Sequence, residues 1–310
     1  MNEEFKHYTV MKKEAVDGLN CQNGLIYLDC TLGGGGHSFE IASAIQPDGK
    51  LIAFDVDEVA INIASEKLKP FSNVTIVKDS YSNFEETLRR LNISKITGGV
   101  LLDLGASYYQ LTSQARGFSF SKDAKLDMRF DLDSDFTAYD LINTYSEQEL
   151  ADVFYYYGEE RLSRRLARVI VEKRTQKKIE TTLELADIIK HALPYKNSRV
   201  HPATRIFQAI RIEVNSELKN VENTLKNVVT FLEKNARIVV ITFHSLEDRI
   251  VKRIFRELSS DCNCKKADMI CKCPPKSLEL INKKPLCATD EEIRVNPPSR
   301  SAKLRVAKKV

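Results

Sequence analysis

The sequence lacks several things, and each absence narrows its reading. It has no long apolar run: its most apolar stretches, such as 238–243, are strand-sized, far short of the ~20 residues that cross a bilayer. No membrane span is expected. Residues 1–10 show neither an apolar h-region nor a cleavage pattern, so no export signal is expected either. Seven cysteines, an odd count without secretory context, point to reduced thiols and a cytoplasmic protein. No internal repeat is present. With 43% apolar and 29% charged residues, the chain is neither disordered nor collagen-like. Net charge is also nearly absent, since 47 Lys and Arg against 43 Asp and Glu leave only +4.

That near-zero balance hides blocks of charge. Residues 249–310 carry a net of +9, and residues 1–248 a net of −5. Within the latter, 122–160 has a net of −8 and is followed at once by 161–178 with +7. Such blocks are either solvated helix faces or, where basic, the electrostatic footprint of a phosphate-binding surface.

A chain of 310 residues corresponds to roughly two domains. The first hundred alternate: apolar strands at 25–29, 51–55, 74–77 and 100–104 are separated by helical patterns starting near His37, over 57–68 and over 84–91. Short apolar strands alternating with amphipathic helices predict an α/β, doubly wound and mostly parallel sheet. The alternation then stops. Residues 112–203 contain no strand pattern and predict helices over 147–157, 160–173 and 182–192. The strand pattern resumes at 237–243, preceded by one long helix, or two broken near Asn215, across 204–234. The expected organisation is therefore a sheet domain of 1–111 and 204–310 with an inserted helical domain of 112–203. Residues 302–307 read as a strand on the sheet's edge.

Two features carry chemistry. The first is Leu28-Asp29-Cys30-Thr31-Leu32-Gly33-Gly34-Gly35-Gly36-His37, a strand running through glycines into a helix. Such a loop lets backbone approach a ligand and offers helix N-terminal N–H groups to an anion, whether a dinucleotide pyrophosphate or the carboxylate of S-adenosylmethionine (SAM). The spacing is not G-x-G-x-x-G and no Walker Lys-Ser/Thr follows, which weakens the nucleotide-phosphate readings. The second is a row of carboxylates, Asp55, Asp79 and Asp103, at successive strand ends 24 residues apart. In an open α/β sheet these line the crevice where ligands sit, and an acid ending the second strand suits ribose hydroxyls. Strand-to-helix caps also use Asp.

Together with many short strings in one order, these features resemble the RsmH (MraW) family of ribosomal RNA methyltransferases over nearly the whole chain. The strings include His7-Tyr8-Thr9-Val10, Gly35-Gly36-His37-Ser38, Leu101-Leu102-Asp103-Leu104-Gly105 and Arg116-Gly117-Phe118. Further along come Leu126-Asp127-Met128-Arg129, Tyr157-Gly158-Glu159-Glu160-Arg161, His201-Pro202-Ala203-Thr204-Arg205, Phe243-His244-Ser245-Leu246-Glu247-Asp248-Arg249 and Arg300-Ser301-Ala302-Lys303-Leu304-Arg305. The resemblance implies a Rossmann-like, SAM-dependent methyltransferase with a helical insertion that recognises RNA. Its implied reaction is methylation of the exocyclic N4 of a cytosine in the decoding centre of 16S rRNA, within the small ribosomal subunit. By motif position Gly35, Gly36 and His37 would hold the methionine end of SAM, Asp55 its ribose and Tyr81 its adenine, with Asp103 and Gln110 completing the contacts.

The candidate acceptor for the cytosine amine is Asp103, which could instead serve only SAM or cap its turn. His244, after the fifth strand, is a second candidate catalytic-site residue that could orient RNA, or a strand-end histidine satisfied by backbone. Arg161, Arg164, Arg165 and Arg168 are candidate RNA contacts, spaced to share one helix face. The alternative is that this basic helix pairs internally with the acidic 122–160 block. The chain departs from the family's usual V-S-S-P-Q-L-D, reading Ala106-Ser107-Tyr108-Tyr109-Gln110-Leu111-Thr112. Cys30 replaces a common glycine, and Pro298-Ser299 replaces Arg-Ala. Two rivals stay open: a methyltransferase of another RNA, and a SAM-binding RNA-binding or ribosome-assembly factor with little activity. Asn296-Pro297-Pro298-Ser299 resembles an amino-methyltransferase motif but lies in the wrong place, and a proline-rich turn is expected. Cys262-x-Cys264 and Cys271-x-Cys273 lack the C-x₂₋₄-C spacing of zinc hairpins, so reduced thiols and no metal are expected.

Overall fold

The computed structural model describes residues 9–193, 201–260 and 275–310, which divide into two compact units. The first unit takes residues up to 105 and from 218 onward. In chain order it begins with α1 (Lys12–Leu19), β1 (Ile26–Asp29), α2 (Gly36–Ala44), β2 (Lys50–Asp55), α3 (Glu58–Leu68), β3 (Val74–Lys78), α4 (Phe84–Arg90) and β4 (Gly99–Asp103). The second unit, 106–217, holds α5 (Tyr108–Thr112), α6 (Ala138–Thr144), α7 (Glu147–Tyr156), α8 (Ser163–Gln176), α9 (Thr182–Ala192) and α10 (Pro202–Val214). The chain returns to the first unit through α11 (Glu217–Phe231), β5 (Arg237–Thr242), α12 (Ser245–Ser259), β6 (Leu278–Leu280), β7 (Leu286–Cys287), α13 (Asp290–Val295) and β8 (Lys303–Lys309).

The sheet order is β3-β2-β1-β4-β5-β8-β6, with β7 also on β8. Strands β1 to β5 are parallel and β8 runs antiparallel to β5. The central strands are apolar on both faces because helices cover both. Leu28, Ile52, Phe54, Val100, Leu102, Ile238 and Val240 pack with Phe84, Leu225, Val251 and Phe255 from α4, α11 and α12. Alternate residues Tyr27, Leu51, Leu101, Val239 and Ile241 pack with Leu19, Ile41 and Ile45 from α1 and α2. The chain winds outward from β1 to β3 and returns to β4 on the other side of β1. That reversal opens the crevice at the carboxyl ends of β1 and β4, where ligands bind in such sheets.

The terminal strand is not at the edge that its sequence position suggested. β8 lies between β5 on one side and β6 and β7 on the other. The covering strands span only three and two residues, too short to leave a periodic signal. Asn296–Ser299 forms the expected turn: a 3₁₀ helix spans Pro297–Ser301, and the Asn296 carbonyl accepts from Ser299 N–H and Oγ.

The helical unit is larger than the 112–203 stretch marked by the loss of alternation. It also takes in α10, whose Ala203, Ile206, Phe207, Ala209 and Ile210 are buried with Leu150, Phe154 and Leu166. The break near Asn215 is present, and hydrogen bonds explain it. α10 ends at Val214, Ser216 has a positive φ of 50°, and α11 starts at Glu217. The Asn215 side chain accepts from Phe130 N–H at 2.7 Å and donates to the carbonyls of Met128 and Arg211 at 2.8 Å each. Two family strings meet at the same segment. Arg116, buried, donates to the carbonyls of Arg129 and Phe130. Arg129 grips Asp127 through Nε and Nη2 at 2.9 and 2.7 Å.

Asn215→Ala leaves the Phe130 N–H and the Met128 carbonyl without these partners. It should lower stability by about 1–3 kcal/mol, read as a lower urea midpoint at unchanged slope. An unchanged midpoint would show that the break is held some other way.

Candidate active site

Three strand-end carboxylates build the crevice floor. Asp29, ending β1, is fully buried; its Oδ2 accepts from Ser38 Oγ at 2.7 Å and its Oδ1 from Thr31 N–H at 3.0 Å. Burial pushes its carboxyl above the ordinary range, and these bonds oppose the shift. Thr31 Oγ1 in turn accepts from Asp103 N–H at 2.6 Å, which ties the end of β4 to the loop after β1. Asp55, ending β2, uses both oxygens: Oδ2 accepts from Gly33 N–H at 2.8 Å and Oδ1 from Asp57 N–H at 2.9 Å. Burial raises its pKa to about 6 against the pull of those N–H groups. Each oxygen has capacity for one more donor.

The loop needs its glycines for different reasons. Gly33 has φ +49°, and an added Cβ would meet only the Thr31 carbonyl oxygen, at 3.9 Å, so a ligand can approach its backbone. Gly35, at φ +72°, lies against α3, where an added Cβ would stand 3.1 Å from Ala64 Cβ. Gly36 opens α2, and an added Cβ would meet Thr9 Oγ1 at 1.7 Å. The α2 N-terminus has Gly35 at its cap and no side-chain hydrogen bond there. An anionic group is a natural complement to such a terminus.

His37 and Asp103 face each other over this loop. His37 is buried, with Nε2 3.1 Å from the Val10 carbonyl and Nδ1 3.6 Å from Asp103 Oδ2. A carbonyl only accepts, so Nε2 carries the hydrogen. Nδ1 then faces the Asp103 carboxylate. Asp103 is pushed well above the usual carboxylate range by burial first, then by the charges of Asp29, Glu247 and Glu292. Its side chain keeps 23% exposure through Oδ2 and carbon, while Oδ1 is closed off and has no hydrogen-bond partner.

The other expected residues fall in different places. His244 caps α12: its Nδ1 accepts from Glu247 N–H at 3.4 Å, and its Nε2 lies 3.1 Å from Glu247 Oε1 without hydrogen-bond alignment. Glu247, buried, accepts from Phe243 and His244 N–H. The ring is engaged in holding a helix end. Asp79 is used on its own turn, accepting from Ser80 N–H and Asn83 Nδ2. Tyr81 opens the 3₁₀ turn after it and packs, half-buried, on the sheet core.

Gln110 belongs to the helical unit, where its Oε1 accepts from Ser107 N–H and closes the α5 cap. Arg161, Arg164, Arg165 and Arg168 are exposed in that unit. Internal pairing with the acidic block is slight: Arg168 Nε lies 3.7 Å from Glu147 Oε1. Cys262, Cys264, Cys271 and Cys273 lie outside the described residues. Among the described residues, no group of His, Cys, Asp and Glu is placed to hold a metal, and no helix is long and apolar enough to cross a membrane.

Asp29, Ser38 and Thr31 went unassigned from sequence, although Asp29 ends a strand beside the glycine run as Asp55 and Asp103 end theirs. Glu292 carried no sequence signal at all. Its Oε1 accepts from Met11 N–H at 2.7 Å across nearly the whole length of the chain.

The model of the MraW methylase family matches residues 4–310. The chain is 49% identical over 309 residues to the ribosomal RNA small subunit methyltransferase H of Clostridium botulinum (strain Loch Maree / Type A3), covering 99% of this chain and 100% of that one. It is 47% identical over 311 residues to the protein of the same name in Clostridioides difficile (strain 630), with the same coverage. Among solved structures, an rRNA methylase from Streptococcus thermophilus aligns with a TM-score of 0.44 at 10% identity, over 96% of this chain and 95% of that one.

The close approach at Gly36 is testable without any ligand. Ala is the better helix former, yet its Cβ would collide with Thr9, so Gly36→Ala should destabilise by about 1–3 kcal/mol. Adding Thr9→Gly should restore most of the lost melting temperature. A neutral or stabilising Gly36→Ala would mean that Thr9 does not rest on the loop.

Proposed function

The chain belongs to the MraW methylase family, and on that premise we propose that it transfers a methyl group from SAM to the exocyclic N4 of a cytosine in the decoding centre of 16S rRNA, within the small ribosomal subunit. The observation that carries the reading is the Asp103 carboxylate at the end of β4, closed off at Oδ1 but exposed at Oδ2, next to a glycine loop built for an anionic ligand.

The crevice fits SAM. The first turn of α2, at Gly36 and His37 after Gly35, would take the carboxylate of its methionine end. Asp55, with spare acceptor capacity on both oxygens, would receive the ribose hydroxyls. Tyr81 would offer its ring to the adenine. SAM bound there supplies an electrophilic methyl on a sulfonium.

Cytosine N4 is a weak nucleophile because its lone pair is conjugated into the ring. Asp103 accepts a hydrogen bond from the amine through its exposed oxygen, Oδ2, which returns density to the nitrogen and stabilises the positive charge that develops as the new bond forms. Burial, and then the charges of Asp29, Glu247 and Glu292, raise the proton affinity of Asp103, which favours its taking the surplus N4 proton. His37 Nδ1, 3.6 Å from Oδ2, faces the same carboxylate. His244 acts by fixing the start of α12 rather than by moving a proton. In the helical unit, exposed Arg161, Arg164, Arg165 and Arg168 hold phosphates of the RNA, an interaction that weakens as salt rises.

Radiolabelled transfer from SAM to undermethylated small subunits tests the reading. Native protein should label them, and Asp103→Asn should lower the rate by about a hundredfold or more, the range for loss of one preorganised transition-state contact. SAM binding without any transfer by the native protein would leave only a binding role. A pH titration tests Asp55. Protons and the ribose compete for its carboxylate, so affinity for SAM should fall as pH drops through about 6, by roughly tenfold one pH unit below the midpoint. Asp55→Asn should bind weakly and remove this step; an unchanged profile would dismiss the ribose role.

A further inference from the structure

The methyl-transfer reading leaves one surface of the helical unit without a use. α7 ends in Tyr155 and Tyr156, 54% and 62% exposed. The helix already has a complete inward face, since Leu150, Ala151, Val153 and Phe154 are buried in the unit's core. The two tyrosines are therefore not needed for packing. Their rings stand 5.2 Å apart, edge to face.

α8 packs beside α7, and the turn between them brings Leu162, 38% exposed, and Arg161 to the same end. Arg164 and Arg165 follow on the exposed first turn of α8, and none of the three arginines forms an ion pair among the described residues. Of the acidic groups nearby, Glu160 accepts from Leu162 N–H at 2.8 Å, Asp152 accepts from Gln148 Nε2 at 2.8 Å, Glu147 faces Arg168, and Glu159 is exposed on the turn.

We propose that this end of the α7–α8 hairpin is a platform for an unpaired RNA strand. Tyr155 and Tyr156 stack on base faces, and Arg161, Arg164 and Arg165 hold the adjoining phosphates. The proposal rests on the RNA-methyltransferase reading and narrows its substrate to a single-stranded segment. An RNA duplex hides its base faces and presents phosphates and hydroxyls, for which arginines alone suffice. Exposed aromatic rings beside cations add a contact that only unstacked bases can take, whatever their sequence. Tyrosine suits the task, because a large ring on two torsions loses little freedom when it is covered.

Fluorescence anisotropy with the full-length protein decides the matter, using a labelled unstructured oligoribonucleotide and a duplex of equal length. The native protein should prefer the single strand. Tyr155→Leu with Tyr156→Leu keeps the apolar bulk but removes the rings, and should weaken single-strand binding about tenfold or more while leaving duplex binding unchanged. Tyr155→Phe with Tyr156→Phe keeps the rings and should stay within about twofold of native. Replacing Arg161, Arg164 and Arg165 by Gln should weaken both RNAs and flatten their salt dependence.

Circular dichroism confirms that each variant is folded, and sedimentation velocity reports its association state. Native-like single-strand affinity in the folded leucine pair would overturn the platform, as would a native preference for duplex. Loss of self-association with RNA affinity intact would assign the tyrosines to a second copy of the chain and overturn it equally. Methyl transfer to small subunits separates the two levels. Transfer by the native protein alongside an unaffected leucine pair refutes the platform alone, whereas no transfer at all refutes the reading beneath it.

Discussion

Asp29 is the constraint around which the crevice is arranged. A carboxylate taken wholly out of water is costly unless hydrogen bonds replace its hydration. Here the replacements come from Ser38 on the first turn of α2 and Thr31 in the loop before it. Satisfying Asp29 therefore fixes where α2 begins. Thr31 then reaches the backbone of Asp103, so the same set of bonds joins β1, the glycine loop and β4 across the point where the sheet reverses direction. Asp55 repeats the device one strand over, with Gly33 as its donor. The loop's shape is set by acceptors below it more than by the flexibility of glycine.

The same economy of partners shapes the electrostatics. Burial raises the proton affinity of Asp103 first, and the charges of Asp29, Glu247 and Glu292 add to it. Glu247 is itself held by N–H groups at the head of α12. Farther along that helix, Asp248 binds Arg305 at 2.7 Å and Lys303 at 3.4 Å on β8. Two strings nearly sixty residues apart are thus parts of one assembly: the first caps a helix and the second anchors that helix to the strand beside it.

What could be read from sequence followed the range of the interaction. Strand-helix alternation, strand-end aspartates and the glycine loop are local patterns, and the structure has them where they were read. The helical stretch was visible as loss of alternation, but its far limit was not, because α10 is amphipathic whichever core it joins; Phe207 and Ile210 decide the matter only by their contacts. Asp79 and Asp103 look alike in sequence, yet one caps its own turn and the other keeps an oxygen unpartnered. Of the two readings of His244, the bond from the Glu247 N–H supplies the backbone one, which only the fold could show. Arg116 and Arg129 carried family strings whose use is internal: they bind carbonyls and an aspartate within the helical unit. Partners distant in sequence leave no periodic trace.

The bond from Met11 N–H to Glu292 has a consequence for the order of assembly during synthesis. Residues 9–11 touch the crevice three times: Thr9 rests on Gly36, the Val10 carbonyl receives His37, and Met11 is held by Glu292. The first of these segments to leave a translating ribosome waits for one of the last. β5 likewise waits for β8, its antiparallel neighbour near the end of the chain. Contacts of such sequence separation are slow to close, and domains fold as units while synthesis proceeds. The helical unit, continuous in sequence, can be complete while the crevice is still open. A chain stalled before α13 would carry a finished helical unit and an unfinished crevice.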